Sequence, residues 1–157
     1  MRMAVAIYVT GISTPDLHPE SPPLLGTLTV DAAYEDQVGV LVPKNLREGD
    51  NVIDLAASAR EFRDASSLGD LPLIVLTHGE PIGPPRKETL WSGYQEVLAG
   101  LSANSVHAIA TLAKHYIQQD QPQVVIAAVR SMWETVTGGG SLPTCRSMFA
   151  QLPVDCL

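Results

Sequence analysis

Two short apolar segments, each followed by a helical pattern, constrain the fold of this chain more than any other feature. Residues 73–76 are four consecutive apolar residues that include Ile74 and Val75, and they lie between Pro72 and Gly79. A short run that is apolar on both faces is typical of a buried parallel strand. Residues 106–109 predict a second strand of this kind.

Helical periodicity follows each predicted strand. The first helix is predicted to begin after Pro84 and Pro85, and its apolar stripe comprises Leu90, Trp91, Tyr94, Val97, Leu98 and Leu101. The second is predicted to begin at Pro122, with Asp120 as a possible cap. Its stripe comprises Val124, Val125, Ala128, Val129, Met132 and Val136. The order strand, helix, strand, helix predicts an α/β fold with a parallel sheet covered by helices.

Outside residues 71–136, the patterns are weaker and predict two flanking regions. Residues 1–70 mix short apolar runs with a proline-rich loop, and they predict a helical, cap-like region. Within it, Leu28, Val30, Ala32 and Ala33 predict a short helix that runs into Tyr34 and Val38, and a clearer helix begins at Asp50 or Asn51. Residues 137–157 show no period and predict a flexible tail, in which Cys145 and Cys156 are interpreted as free thiols.

Composition excludes several functional classes. The chain has 157 residues, of which 45% are hydrophobic and 17% charged, as expected for one globular domain. Its net charge of −7 argues against a nucleic-acid-binding surface. No segment approaches the roughly 20 apolar residues of a membrane span, and the apolar run at residues 3–9 is short for a signal peptide. We therefore expect a cytoplasmic protein, and we find no motif for a metal or a cofactor.

Residues 71–136 resemble the C-terminal portion of the α/β-hydrolase fold family. The resemblance is carried by the strand LPLIVLTHG (71–79), the segment NSVHAIATLAKHYIQQDQP (104–122) and the closing helix VVIAAVRSMWETV (124–136). It implies a partial α/β-hydrolase fold, with the last two parallel strands, their covering helices and a helical cap-like N-terminal region. In that family a loop after the last strand carries the catalytic histidine, and His115 matches this position.

The resemblance implies a role for His115 as general base and for a carboxylate that orients its ring. Glu80 is the candidate carboxylate, because it is the first acidic residue after the penultimate strand. Upstream alternatives are Asp54, Asp64 and Asp70. The remaining residues of interest have simpler interpretations: His78 as a loop residue, His107 as a strand residue, and Trp91 and Trp133 as packing residues.

The nucleophile motif of the family is missing. No Gly-x-Ser-x-Gly pentapeptide occurs in the chain, and Ser92-Gly93 and Gly140-Ser141 lack the second glycine. We therefore expect part of a hydrolase that acts on ester or amide bonds of a small-molecule substrate once a nucleophile-bearing half completes it. The alternatives are a non-catalytic interaction module and one half of a split hydrolase. Because the two strands need sheet neighbours, self-association is also expected.

Overall fold

The computed structural model describes residues 4–9, 24–32, 45–48, 51–54 and 67–157, and it describes side chains for residues 25–32 and 67–157. The strands are β1 (Ala4–Val9), β2 (Leu24–Val30), β3 (Asn45–Glu48), β4 (Asn51–Asp54), β5 (Leu73–His78), β6 (Ser105–Ala110) and β7 (Val154–Cys156). The helices are α1 (Pro85–Ala99), α2 (Ile117–Asp120), α3 (Pro122–Gly138) and α4 (Cys145–Met148).

Five of these strands form one sheet, in the order β1-β2-β5-β6-β7. The pairs β1–β2, β2–β5 and β5–β6 are parallel, whereas β7 runs antiparallel to β6. Val9 pairs with Val30, Val30 with Leu76, and Leu76 with Ala108. The carboxyl ends of the four parallel strands therefore meet at one edge of the sheet, where α/β proteins bind ligands.

Helices cover both faces of the sheet. On one face, α3 and the segment that includes α4 pack over alternate strand residues, and this cluster includes Leu28, Ile74, Ala108, Met132 and Phe149. On the other face, Leu98 and Ala99 of α1 pack against Leu73 and Val75. All six residues of β5 are buried, because helices cover both of its faces. The prediction of an α/β fold with a helix-covered sheet is confirmed, and the finer assignment to a partial hydrolase fold stays a prediction.

The helical prediction for the N-terminal region is wrong where the structure describes it. Leu28 and Val30, assigned to a short helix, lie in β2 and are fully buried. Asn51–Asp54, assigned to the next helix, forms β4 and pairs with β3 as an antiparallel hairpin. Alternation of apolar residues at Leu28, Val30 and Ala32 fits the two-residue period of a strand, and sheet packing favours that period over the helical one. Residues 55–64 lie outside the described part of the chain.

The expectation that β5 and β6 lack sheet neighbours is also wrong. β2 pairs with the free side of β5, and β7 pairs with the free side of β6. The chain itself thus satisfies the backbone groups whose exposure was the reason to expect self-association. Self-association stays a prediction, but unpaired edges of β5 and β6 no longer support it.

The aperiodic C-terminal segment contains a helix, a strand and a disulfide bond. Cys145, at the start of α4, is bonded to Cys156, at the end of β7, with their Cα atoms 5.8 Å apart. The interpretation of two free thiols is therefore wrong. Both elements are too short to show a period in the sequence.

The chemistry of the disulfide bears on where the protein resides. Disulfides persist in oxidising compartments, which is at odds with the expected cytoplasmic location. In the described residues, no helix is both long and apolar enough to cross a membrane. The location in the cell stays a prediction.

The disulfide is predicted to stabilise the fold by about 3 kcal/mol, because it closes a loop between cysteines 11 positions apart and so restricts the unfolded chain. Urea unfolding with and without dithiothreitol should show a lower midpoint under reduction. The double variant Cys145→Ser, Cys156→Ser serves as control and should unfold at the reduced midpoint in both buffers. Equal midpoints for the wild type in both buffers would show that the bond contributes nothing.

Candidate functional site

Asp31 lies at the carboxyl end of β2 and is 1% exposed. Its N–H donates to the Leu76 carbonyl oxygen over 2.7 Å, so the pairing of β2 with β5 continues through this residue. Its φ is +48°, a left-handed conformation that aspartate tolerates better than most residues. Backbone conformations of this kind are often found where a side chain is held for function.

The Asp31 carboxylate accepts hydrogen bonds from four donor groups of the described residues. Oδ2 accepts from His115 Nδ1 over 2.7 Å, and Oδ1 accepts from Trp91 Nε1 over 3.0 Å. The His78 backbone N–H donates to Oδ1 over 3.2 Å, and His78 Nδ1 lies 2.8 Å from Oδ1 and 2.9 Å from Oδ2. A buried carboxylate with this many donors is held in its charged form.

His115 is the exposed member of this cluster. It lies in the loop between β6 and α2, which we name the histidine loop (residues 111–116), and its side chain is 36% exposed. Because an ionised carboxylate only accepts hydrogen bonds, Nδ1 carries the proton that faces Asp31. The neutral ring then has an unprotonated Nε2, which is the atom that a general base uses.

Side chains and backbone groups from neighbouring elements hold the histidine loop. The Lys114 N–H donates to the Asp120 carboxylate, and the Leu112 N–H donates to Gln121 Oε1, each over 2.8 Å. From the loop after β5, the N–H groups of Gly79 and Glu80 donate to the Ala113 carbonyl oxygen. Asp120, predicted to cap α3, thus ties down the histidine loop instead, and α3 has no side-chain cap.

His78 bridges two carboxylates. It is the last residue of β5 and 6% exposed. Besides its contact with Asp31, its Nε2 lies 2.9 Å from Glu88 Oε2. Glu88 Oε1 in turn accepts from the N–H groups of Ile82 and Gly83 over 3.1 Å and 2.6 Å. His78, interpreted from the sequence as a loop residue, is therefore a buried part of the site.

The protonation states follow from these contacts. Burial by itself raises the pKa of Asp31, but hydrogen bonds from His115 and His78 outweigh it and leave that pKa below its ordinary value. Burial lowers the pKa of His78, whereas the two carboxylates raise it by more, so the ring favours the charged form. The pKa of Glu88 is lowered, because its bonds with His78 and the Gly83 N–H outweigh the opposing effect of burial.

Helix α1 turns polar groups toward this site. Gln95 is fully buried, and its Nε2 donates to the Ala32 carbonyl oxygen over 2.7 Å. Trp91, predicted to be a packing residue, donates to Asp31. Leu90 and Val97 of the predicted stripe are instead 38% and 51% exposed. The need to supply donors to residues 31 and 32 therefore sets the rotation of α1.

The other sequence candidates lie elsewhere. Glu80 is exposed in the loop after β5, and among the described residues the carboxylate on His115 is that of Asp31. Asp70 is exposed in the segment before β5, Asp54 ends β4 without a described side chain, and Asp64 lies outside the described residues. His107 is buried in β6, where its Nε2 contacts Thr77 Oγ1 over 2.8 Å. The acid role of Glu80 stays a prediction.

Sequence reasoning missed Glu88 and, above all, Asp31. The signal was present, because an aspartate directly after an apolar strand stands at the ligand-binding edge of a parallel sheet. The assignment of the segment that begins at Leu28 to a helix concealed it. In the part of the chain that the structure describes, no group of three or more His, Cys, Asp or Glu residues is arranged to hold a metal ion.

Comparison of the chain with protein-family models, with curated proteins and with solved structures finds no match. The function must therefore be inferred from the geometry of the site.

Substitution of Gly79 by alanine is predicted to destabilise the fold by about 1–3 kcal/mol through overpacking. A Cβ atom there would lie 2.6 Å from Thr111 Cα and 2.9 Å from the Ala110 carbonyl oxygen, both of them backbone atoms at the base of the histidine loop. Gly93→Ala in α1 is the matched control, because its Cβ meets nothing within 4 Å. It should stabilise by about 0.5–1 kcal/mol. Urea unfolding measures both changes, and equal stability of the two variants would contradict the close approach.

The carboxylate–histidine cluster is predicted to make stability depend on pH in a defined window. The lowered pKa values of Asp31 and Glu88 add to the free energy of unfolding. This stabilisation is complete above their ordinary pKa values of 3.8 and 4.5, and it is lost as the pH falls through the lower pKa values of the folded state. The raised pKa of His78 gives a second stabilisation, which is complete below its ordinary pKa of 6.5 and is lost as the pH rises through its higher pKa in the folded state. The full contribution therefore lies between pH 4.5 and 6.5.

The measurement is the difference in unfolding free energy between the wild type and Glu88→Gln across this range. Taking the difference removes the opposing effect of His107, whose burial lowers its pKa. The difference should be largest between pH 4.5 and 6.5 and shrink as the pH rises further. A difference that grows from pH 6.5 upward would contradict the bridging role of His78.

Proposed function

We propose that His115 and Asp31 form the base–carboxylate pair of a hydrolytic site that acts on an ester or amide bond through a hydroxyl nucleophile. The single observation that carries the proposal is the 2.7 Å contact between Nδ1 of the partly exposed His115 ring and the buried Asp31 carboxylate, which leaves Nε2 as the ring nitrogen that does not face Asp31. Such a pair takes the proton of an attacking hydroxyl and returns it to the leaving group.

The chemistry assigns a distinct role to each residue. His115 Nε2 accepts the nucleophile's proton, and the ring becomes an imidazolium. The Asp31 carboxylate holds the ring by Nδ1 and stabilises the positive charge that forms on it. Because Asp31 is buried and accepts from Trp91 and His78 as well, it stays ionised and in place while the proton moves.

The location supports a small-molecule substrate. His115 is at the carboxyl edge of the sheet, the usual ligand-binding edge of an α/β fold. The histidine loop also carries two exposed apolar side chains, Leu112 and Tyr116, which are 62% and 51% exposed. The Tyr116 ring lies 5.1 Å from the His115 ring, centroid to centroid. An exposed aromatic ring beside His115 favours a substrate with an apolar group next to the bond that is cleaved.

Two sources for the nucleophile can be separated by experiment. The first is a second polypeptide with a Gly-x-Ser-x-Gly turn, as in a split hydrolase. The second is this chain: β1 ends at Val9, beside β2 and at the same edge as Asp31. In the sequence Gly11 and Ser13 follow, and both lie outside the described residues. Ser13→Ala therefore tests whether the chain supplies its own nucleophile.

The proposal predicts base-dependent reactivity of a serine toward a fluorophosphonate probe. The chain is assayed alone and after mixing with a polypeptide that carries the nucleophile turn, and hydrolysis of a 4-nitrophenyl ester is followed in parallel. His115→Ala should lower the labelling rate by about 10²–10⁴-fold, since this is the usual contribution of general base catalysis. Asp31→Asn should also lower it strongly, because the amide no longer selects the productive tautomer.

Asp155→Asn, at an exposed position of β7, is the matched control for Asp31→Asn and should react at the wild-type rate. Glu80→Gln decides which carboxylate orients His115. If Glu80→Gln lowers the labelling rate more than Asp31→Asn does, the orienting carboxylate is Glu80. Absence of labelling in both preparations, or labelling that His115→Ala leaves unchanged, would contradict the proposal. The non-catalytic interaction module would then be favoured.

A further inference from the structure

The His78 ring is held by a carboxylate at each nitrogen. Nδ1 lies 2.8 Å from Asp31 Oδ1 and Nε2 lies 2.9 Å from Glu88 Oε2. Ionised carboxylates only accept hydrogen bonds, so both ring nitrogens must donate and the ring is an imidazolium. The result is a largely buried chain of charges, Asp31–His78–Glu88, in which one cation links two anions.

The two Asp31 oxygens differ in their sets of donors, although His78 Nδ1 lies within 2.9 Å of both. Oδ1 accepts from His78 Nδ1, from the His78 backbone N–H and from Trp91 Nε1. Oδ2 has its shortest contact, 2.7 Å, with His115 Nδ1. A carboxylate fixed in this way by three donors at Oδ1 presents Oδ2 to His115 in one orientation.

We propose that His78 is a positioning residue: anchored on Glu88, its charged ring fixes the Asp31 carboxylate so that His115 keeps its proton on Nδ1 and leaves Nε2 unprotonated. This inference rests on the proposed function and goes beyond it, since it assigns a role to a histidine and a glutamate that touch neither the reacting proton nor the substrate. His78 acts on catalysis only through Asp31.

Glu88 connects the chain of charges Asp31–His78–Glu88 to the loop between β5 and α1. Its Oε1 accepts from the N–H groups of Ile82 and Gly83, in the loop that joins β5 to α1. Its Oε2 accepts a hydrogen bond from His78 Nε2. One side chain thus connects this loop to the buried cluster, and Glu88 fixes both with charge-assisted hydrogen bonds.

A merely structural role for the same contacts predicts a different outcome. Buried ion pairs often specify a local arrangement or contribute little net stability. Loss of such a pair lowers stability but leaves the tautomer of a neighbouring histidine unchanged. The tautomer of His115 therefore separates the two roles, and its measurement needs no catalytic activity.

The test is a long-range ¹H–¹⁵N correlation spectrum of the full ¹⁵N-labelled chain at pH 7, for the wild type, Glu88→Gln and His78→Asn. In the wild type, His78 should show two protonated ring nitrogens, and His115 should be mainly protonated at Nδ1. Glu88→Gln removes the outer anchor, and the ratio of the Nδ1–H to the Nε2–H tautomer of His115 should fall at least threefold. His78→Asn should lower it further, and Glu134→Gln, at an exposed position of α3, should leave it unchanged.

The outcomes separate this inference from the proposed function. If wild-type His115 is mainly protonated at Nε2, the Asp31–His115 pair is absent, and the proposed function and this inference both fail. If the wild type has the Nδ1–H tautomer and both variants retain it, the role of His78 alone is overturned. Should His78→Asn fail to fold because it leaves two buried carboxylates unpaired, Glu88→Gln decides, since Glu88 is partly exposed.

Discussion

The site depends on one buried negative charge. Asp31 is 1% exposed, so its carboxylate is acceptable in the interior only if donors surround it. Those donors come from three separate elements: His78 from β5, Trp91 from α1 and His115 from the histidine loop. Because they converge on a single carboxylate, the positions of β5, α1 and the histidine loop at this edge are coupled to one another.

Several irregular features of the fold become understandable from this requirement. Asp31 adopts a positive φ at the end of β2, where its N–H still pairs with Leu76 while its carboxylate reaches His78 and His115. Helix α1 buries Gln95 and leaves Val97 exposed, a rotation that apolar packing alone would not favour. Each feature has a local cost, which hydrogen bonds to residues 31 and 32 offset.

Sequence patterns predicted the elements that are long and apolar. The run at residues 73–76 gave β5, the proline at position 122 gave the start of α3, and the stripe from Val124 to Met132 gave the buried face of that helix. These predictions are confirmed because burial against a sheet requires strong periodicity. The N-terminal strand β2 was missed although it is at least as long as β5, because its residues Leu28 and Val30 were assigned to a helix instead of being recognised as strand alternation.

For the site, the sequence indicated one half of the pair. His115 was selected through the family resemblance, and the structure places it at the carboxyl edge of the sheet. Its partner Asp31 is 84 positions away in the chain, and no local spacing connects the two. Likewise, the disulfide joins residues of two elements too short to predict, so the pairing emerges only when β7 is placed beside β6.

The buried Asp31 carboxylate orients His115, and the catalytic role proposed for His115 depends on this contact. A crystal structure of the chain at neutral pH tests it most directly. We expect His115 Nδ1 to lie near 2.7 Å from Asp31 Oδ2, with His78 Nδ1 and Trp91 Nε1 hydrogen-bonded to the same carboxylate. A structure in which His115 turns away from Asp31, or pairs with Glu80, would contradict it.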